Sequence, residues 1–317
     1  MDNITLIVSD NNSIRIDKYL SIKLPNNSRS YYQSLIKEGH VKANGKPIKV
    51  SQKTEEGMEI VLNIPEAEEI EIKAENIPLD ILYEDDDLLI VNKPKNMVVH
   101  PSAGHYSHTL VNAIMYHCKD SLSGINGHIR PGIVHRIDKD TTGSLIVCKN
   151  DFSHEYIAKQ IAAHSVTRIY IGIVKGYVKN DTDTIDAPIG RHPINRKKMA
   201  INYKNGKEAV TTYRVLARFN NLSLVEFRLK TGRTHQIRVH MSSINHPLLG
   251  DELYSNPDKK YKNLVGQCLH ALTIGFIHPR SKKYMEFSAP IPDYFSDILN
   301  KNNIKFNENS LSEGGLL

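Results

Sequence analysis

One stretch in the middle of the chain concentrates groups that do proton and charge chemistry: His135-Arg136-Ile137-Asp138-Lys139-Asp140-Thr141-Thr142-Gly143. An aspartate serves as base, nucleophile or electrostatic stabiliser when it is ionised and held still. A guanidinium beside it favours the ionised form and fixes its orientation. Arg136 is two positions from Asp138, and a second source lies in Lys230-Thr231-Gly232-Arg233-Thr234-His235-Gln236-Ile237-Arg238-Val239-His240. This run brings two Arg and two His to a glycine turn, a combination suited to phosphates and carboxylates. The same residue types also make a salt-bridged surface turn and a basic surface helix, and local chemistry alone leaves those readings open.

These groups need rigid supports. The apolar run Ser144 to Cys148 follows the first stretch at once and reads as a buried strand, with Gly143 at its sharp entry. Leu222 to Leu229 reads as the strand before the second stretch, and Thr234 onward as a helix with His235 and Arg238 three apart on one face. Leu88 to Val91 predicts another buried strand, ending at Lys93-Pro94. Helices are expected over His108 to Cys118 and, capped by Ser153, up to Ala163; Val166 to Val174 reads as a strand. Thr211 to Ala217 pairs with Leu222 to Leu229 around Asn220-Asn221, and Ala271 to Ile277 with Lys283 to Ser288. Hairpins with helices between them predict an α+β fold on a mixed, largely antiparallel sheet.

Composition narrows the class. The chain has 317 residues, 40% of them hydrophobic and 24% charged, as expected of a soluble protein with a real core. No apolar run approaches a membrane span, and Met1-Asp2-Asn3-Ile4 lacks the basic flank of a secretory leader. Cys118, Cys148 and Cys268 stand far apart in apolar surroundings and read as buried free thiols of a reducing, cytoplasmic compartment. The net charge of +6 is mild, but its distribution is uneven. Arg191, Arg196, Lys197, Lys198, Lys204 and Lys207 lie in a stretch without Asp or Glu, while acids gather at Glu66 to Glu75 and Glu84 to Asp87. Such segregation suits a face toward phosphates; it also describes a solvated loop.

Residues 1–75 read as a separate small unit. Ile16, Tyr19, Leu20 and Leu24 recur at helical spacing before Pro25, and Ser30 is the expected cap of a second helix from Tyr31 to Glu38. Val41 to Ala43, Asn44-Gly45 and Pro47 to Val50 predict a hairpin with a type I′ turn, and Met58 to Leu62 a further strand. Arg15-Ile16-Asp17-Lys18-Tyr19-Leu20, Ser28-Arg29 and Gly39-His40-Val41-Lys42-Ala43-Asn44-Gly45 resemble the alpha-L RNA-binding motif, typified by small-subunit ribosomal protein S-four. The resemblance implies an RNA-facing surface with Arg15, Arg29, Lys37 and Lys42. The acidic Ile64 to Pro78 segment is expected to be a linker, residues 76–299 the catalytic domain, and 300–317 a mobile tail.

Several motifs, taken in order, resemble the pseudouridine synthases of the large-subunit ribosomal RNA group. His135 to Gly143 matches the signature His-Arg-Leu-Asp-Lys-Asp-Thr-Ser-Gly, with Ile137 and Thr142 as conservative changes. Arg130 to Val134, Asn92-Lys93-Pro94, His100-Pro101, Gly190 to Pro193 with Arg196 to Met199, Gly232 to Arg238, and His246 to Asp251 also match. The resemblance implies that Asp138 is the catalytic carboxylate, that Tyr170 contacts the uracil, and that Arg238 pairs with Asp138. It further implies that Arg136 holds the target nucleotide out of its helix and that Ile237 closes the pocket. His135, Arg233, His235 and Gln236 complete the expected substrate-binding set. Arg191, Arg196, Lys197 and Lys198 are expected to meet RNA phosphates. The reaction keeps both halves of the substrate in the site, so neither cofactor nor metal is expected. The expected partner is a stem-loop of large-subunit ribosomal RNA, with the protein a monomer and no membrane involved.

Two other readings make different demands. An RNA-docking factor without chemistry would need the basic surfaces but no acid at 138. A metal-dependent hydrolase is suggested by 15 His, among them His100, His105, His108, His117 and His135. These lack the close helical ligand pairs typical of catalytic zinc sites.

Overall fold

The computed structural model describes residues 2–9, 13–25, 27–64, 72–101, 106–119, 122–125, 131–304 and 306. The chain divides into two compact units, Met1–Ile70 and Glu71–Leu317.

The first unit contains β1 (Asp2–Ile7), α1 (Ile16–Lys23), α2 (Arg29–Lys37), β2 (Val41–Ala43), β3 (Lys46–Pro47) and β4 (Glu59–Ile64). The strands form one antiparallel sheet in the order β1-β4-β2-β3. Ile16, Tyr19 and Leu20 of α1 and Tyr32, Leu35 and Ile36 of α2 bury their apolar faces in a core with Val41, Ile60 and Leu62. Ser28, not Ser30, caps α2, accepting the Tyr31 N–H. Asn44 and Gly45 both have positive φ (48° and 75°), the requirement of a type I′ turn. Asp17 is fully buried and takes hydrogen bonds from Arg15, Arg29 and Gln33. Burial pushes its carboxyl up, but the bonds from Arg29, Gln33 and Arg15 outweigh that and hold it down at about 2. Arg15 and Arg29 therefore brace α1 against α2 while remaining partly exposed; Lys37 and Lys42 are exposed.

The second unit contains β5 (Ile81–Glu84), β6 (Leu88–Lys93), α3 (Leu110–Cys118), β7 (Thr142–Cys148), α4 (Asp151–Ala162), β8 (Thr167–Lys175), β9 (Thr182–Asp186), β10 (Ile189–Arg191) and β11 (Met199–Ile201). It continues with β12 (Val210–Phe219), β13 (Leu222–Leu229), α5 (Gln236–Ser243), β14 (Leu269–Ile277), β15 (Tyr284–Ser288) and α6 (Asp293–Lys301). Its main sheet runs β5-β6-β7-β14-β8-β13-β12-β9, with β15 added to β14, and β10 and β11 pair separately. Among these pairings only β7–β14 is parallel. The architecture is α+β, with a mixed, largely antiparallel sheet. β7 is buried along its whole length, and the three cysteines are buried free thiols.

Several boundaries differ from expectation for identifiable reasons. Asn150, not Ser153, caps α4, because the Asn150 side chain accepts the Ser153 N–H. The expected linker is packed where it is described: Ile72 is buried, and Lys73 and Glu75 bond to Asn112 of α3. The expected tail starts too early, since α6 runs to Lys301 and Ile304 and Phe306 pack on the cluster that holds Phe295 and Leu299. Residues 305 and 307–317 lie outside the described residues, as do Arg130 and His105.

Candidate active site

The loop from His135 to Thr141 enters β7 at Thr142-Gly143. Gly143 has φ +110°, and a Cβ there would stand 2.1 Å from the Ala271 carbonyl oxygen. Glycine therefore lets β7 lie against β14 immediately after Asp138. His135 anchors the other end of the loop: its Nε2 accepts the Ile146 N–H at 2.9 Å. Burial, reinforced by the nearby Arg168 charge, pushes this imidazole down to about 3, so it stays neutral. From beneath, the Nζ of fully buried Lys93 donates to the carbonyls of Pro94, Met97 and Lys139. Burial lowers this lysine to about 7, against the opposing pull of Asp140 and Asp138.

Asp138 is a hundred residues from its guanidinium in sequence but in direct contact with it. Arg238 Nη1 donates to Asp138 Oδ2 at 2.8 Å, while its Nε and Nη2 donate to the two oxygens of Asp251 at 2.7 and 2.9 Å. Asp251 is itself fixed by the Leu253 and Tyr254 N–H groups. Burial works against the Arg238 charge, but the Asp251 hydrogen bonds and then Asp138 outweigh it, raising the pKa above its ordinary value. This is a charge-assisted network with one exposed end, the face of Asp138 that opens to a cavity.

That cavity has a volume of about 450 Å³ and is lined by Asp138, Tyr170, His235, Ile237 and Arg238, among others. Tyr170 comes from β8, where it pairs in register with Ala271 of β14 and Phe227 of β13. Burial raises its phenol, with Arg168 opposing and Asp138 adding, so it presents a neutral ring. A second hollow of about 350 Å³ also borders Asp138 and shares Arg136, His235 and Arg238 with the first.

The α5 entry differs from the expected helix beginning at Thr234. His235 has left-handed φ (+58°) and stands outside the helix, which starts at Gln236. A non-glycine residue held in this region stores strain that the surroundings must impose, a pattern found at functional sites. Its ring approaches Asp138 by that turn, with Nε2 3.9 Å from Oδ2, rather than by sharing a helical face with Arg238. Gln236 spends its whole amide on the turn. Oε1 accepts from Thr231 and the Arg233 N–H, and Nε2 donates to the Val210 carbonyl and the Thr211 hydroxyl. Its bonds describe a brace. Arg233 is half-buried and donates to the Glu208 carbonyl. Arg136 is exposed at the cavity mouth, with Nη1 3.3 Å from His100 Nε2.

The basic segment forms the β10–β11 hairpin. Arg191, Arg196 and Lys197 are exposed and Lys198 is half-buried; Arg191 Nη1 donates to the Arg196 carbonyl. The hairpin reaches the site through Tyr254, whose hydroxyl accepts the Met199 N–H and contacts His235 Nδ1. Asp251, Tyr254 and Lys93 were not among the candidate residues. Asp251 and Lys93 lie inside motifs that carry the family resemblance, while Tyr254 has no signal beyond its nearness to Asp251.

Among the described residues, the histidines named above do not converge. His100, His117 and His135 meet Arg136, Glu84 and the Ile146 N–H respectively. Among the described residues, Asp85, Asp87 and His278 form a group whose potential ligand atoms lie within 4.8 Å. Those atoms are engaged in a closed network: Tyr83 and His278 donate to Asp85, and Asn150 and Arg280 to Asp87.

Residues 87–243 match the family model described as RNA pseudouridylate synthase, and residues 14–60 match the S4 domain. The chain is 48% identical over 300 residues to an uncharacterised RNA pseudouridine synthase of Bacillus subtilis, covering 94% of this chain and 98% of that protein. It is 46% identical over 287 residues to ribosomal large subunit pseudouridine synthase D of Zymomonas mobilis, with 88% and 90% covered. The solved structure of human RNA pseudouridylate synthase domain containing 1 superposes with a TM-score of 0.60 at 23% identity, over 78% of this chain and 96% of that one, a likeness of fold. With the Asp138–Arg238 pair at the wall of its cavity, the chain belongs to the RNA pseudouridine synthase family and carries an N-terminal S4 RNA-binding domain.

Proposed function

We propose that this enzyme isomerises uridines in a stem-loop of large-subunit ribosomal RNA, using the Asp138 carboxylate and no cofactor. The observation that carries the reading is the 2.8 Å bond from Arg238 to Asp138 at the wall of a cavity that Tyr170 also lines. Relatives that are 46%, 42% and 40% identical bear the name ribosomal large subunit pseudouridine synthase D, which supports the choice of RNA. The bond from uracil N1 to the ribose breaks, the base turns, and C5 bonds to the ribose in its place. C5 loses its proton and N1 ends protonated. Asp138 attacks the sugar or the ring, or removes a ribose proton, and Arg238 holds it through each route. Tyr170 keeps the detached ring in place, and Ile237 closes the pocket. Arg136 occupies the gap left by the extruded nucleotide.

Extrusion costs a few kcal/mol and least where the base is already unstacked, which favours a loop or bulge uridine. Arg191, Arg196, Lys197 and Lys198, and in the S4 domain Arg15, Arg29, Lys37 and Lys42, offset that cost through phosphate contacts. The protein acts in this reading as a cytoplasmic monomer. The test is a pseudouridine map of total RNA from cells with and without the gene, complemented by wild type or Asp138→Asn. Specific large-subunit sites should vanish without the gene, return with wild type, and stay absent with the variant that still binds RNA. An unchanged map would leave a docking protein without chemistry.

A further inference from the structure

We infer that Tyr254 is a positioning residue that fixes His235 as a neutral donor, with its Nε2–H turned toward Asp138, and ties that donor to the β10–β11 hairpin. The inference rests on the reading of Asp138 as the reacting group.

The assignment follows from counting protons along one chain of contacts. The Met199 backbone N–H can only donate, and it points at Tyr254 Oη at 2.7 Å. The phenol oxygen accepts that N–H, and among the described contacts of the hydroxyl His235 Nδ1, at 2.8 Å, is the acceptor open to its proton. A Nδ1 that accepts leaves the imidazole proton on Nε2. The far side of the ring is compatible with that tautomer without fixing it. Nε2 faces Asp138 Oδ2 at 3.9 Å, and a carboxylate offers only acceptors. The rings of His235 and Tyr254 meet edge to face at 5.6 Å, so the histidine has little freedom to turn. The charged groups around it are Asp138 and Arg136 from the motif loop, Arg238 from α5, and Asp251 from the segment after it; burial dominates and holds the imidazole below its ordinary pKa. Burial likewise raises the Tyr254 phenol, which keeps its proton.

Two consequences follow. With its proton on Nε2, His235 cannot accept another at the nitrogen that faces Asp138, so it is not the base that removes the C5 proton. Moreover, the hairpin carrying Arg196 and Lys197 is joined to Asp138 through Met199, Tyr254 and His235, so RNA held by that arm bears directly on the donor.

Nitrogen-15 NMR of the full chain with labelled histidine tests the assignment without RNA, so an enzyme that isomerised nothing would still reveal its tautomer. His235 is identified by the signals lost in His235→Gln. The expected wild-type pattern is protonated Nε2 with an accepting Nδ1, and Tyr254→Phe should mix the tautomers and raise the histidine's titration. A protonated Nδ1 in wild type, or an unchanged His235 in Tyr254→Phe, overturns the inference. With an RNA substrate, Tyr254→Phe should lower kcat roughly 3- to 10-fold, as expected for one missing hydrogen bond, with KM unmoved. His235→Gln, which can donate but not act as a base, should retain more activity than His235→Ala; equal losses would restore the histidine as a base.

Discussion

Asp251 takes two of the three Arg238 hydrogen bonds, so the guanidinium is aimed before Asp138 is considered. Both residues are buried and charged, an arrangement whose cost is recovered only with good geometry and with the remaining lone pairs occupied. The Leu253 and Tyr254 N–H groups supply the occupancy. Asp251→Ala would leave Arg238 short of its main partner and should cost about 3–5 kcal/mol of folding stability, read as a drop in denaturant midpoint. Asp251→Asn keeps the volume but loosens the aim, and isomerisation should fall by about 10²-fold. Wild-type activity in Asp251→Asn would show that Asp138 needs no such support.

The stability of Gly143 is a separate matter from its chemistry. The Ala271 carbonyl leaves no room for a Cβ, and φ +110° is strained for any L side chain. Gly143→Ala should therefore destabilise the fold by on the order of 3 kcal/mol, because backbone on both sides would have to move. Thermal unfolding of the variant checks this; an unchanged midpoint would mean that the β7–β14 contact yields easily.

Much of this arrangement was legible in the chain. The run from Leu145 to Cys148 is apolar because β7 is covered on both faces, and Asn44-Gly45 announces its turn because both residues accept positive φ. What stayed hidden depends on contacts distant in sequence. Nothing local marks His235 as left-handed, since the strain is imposed by the turn that Gln236 braces. Tyr254 acquires its role only when the hairpin folds onto it. β9 is not readable from the chain because a largely exposed edge strand whose one apolar residue is Ile185, Thr182 to Asp186, carries no alternating apolar pattern.

Stability should fall as the solution is acidified, and for a reason that can be located. His135 is pushed down by burial to about 3 and His270, also by burial, to about 4. Each imidazole binds a proton less readily folded than unfolded, so between about pH 6.5 and those values the unfolded chain holds more protons. The stabilisation is complete above about pH 6.5 and is lost as pH drops toward the folded values. Urea midpoints across this range should decline in wild type and decline less in His135→Gln, which does not titrate. Parallel slopes for the two proteins would remove His135 from the account.

The β10–β11 hairpin offers the cleanest electrostatic prediction. Arg196 and Lys197 are exposed on it, whereas Arg191 is partly engaged by the Arg196 carbonyl. A phosphate contact reveals itself through counterions released on binding, not through affinity at a single salt concentration. Replacing both residues by Ala should make the plot of log K against log salt shallower by about 0.7–1 for each phosphate no longer neutralised, and raise KM for the RNA substrate. Met199 passes its N–H to Tyr254 through the backbone, so truncating these side chains leaves that link in place. An unchanged slope would mean that the arm does not touch the phosphates, and the RNA would have to be held by the S4 domain and the cavity mouth instead.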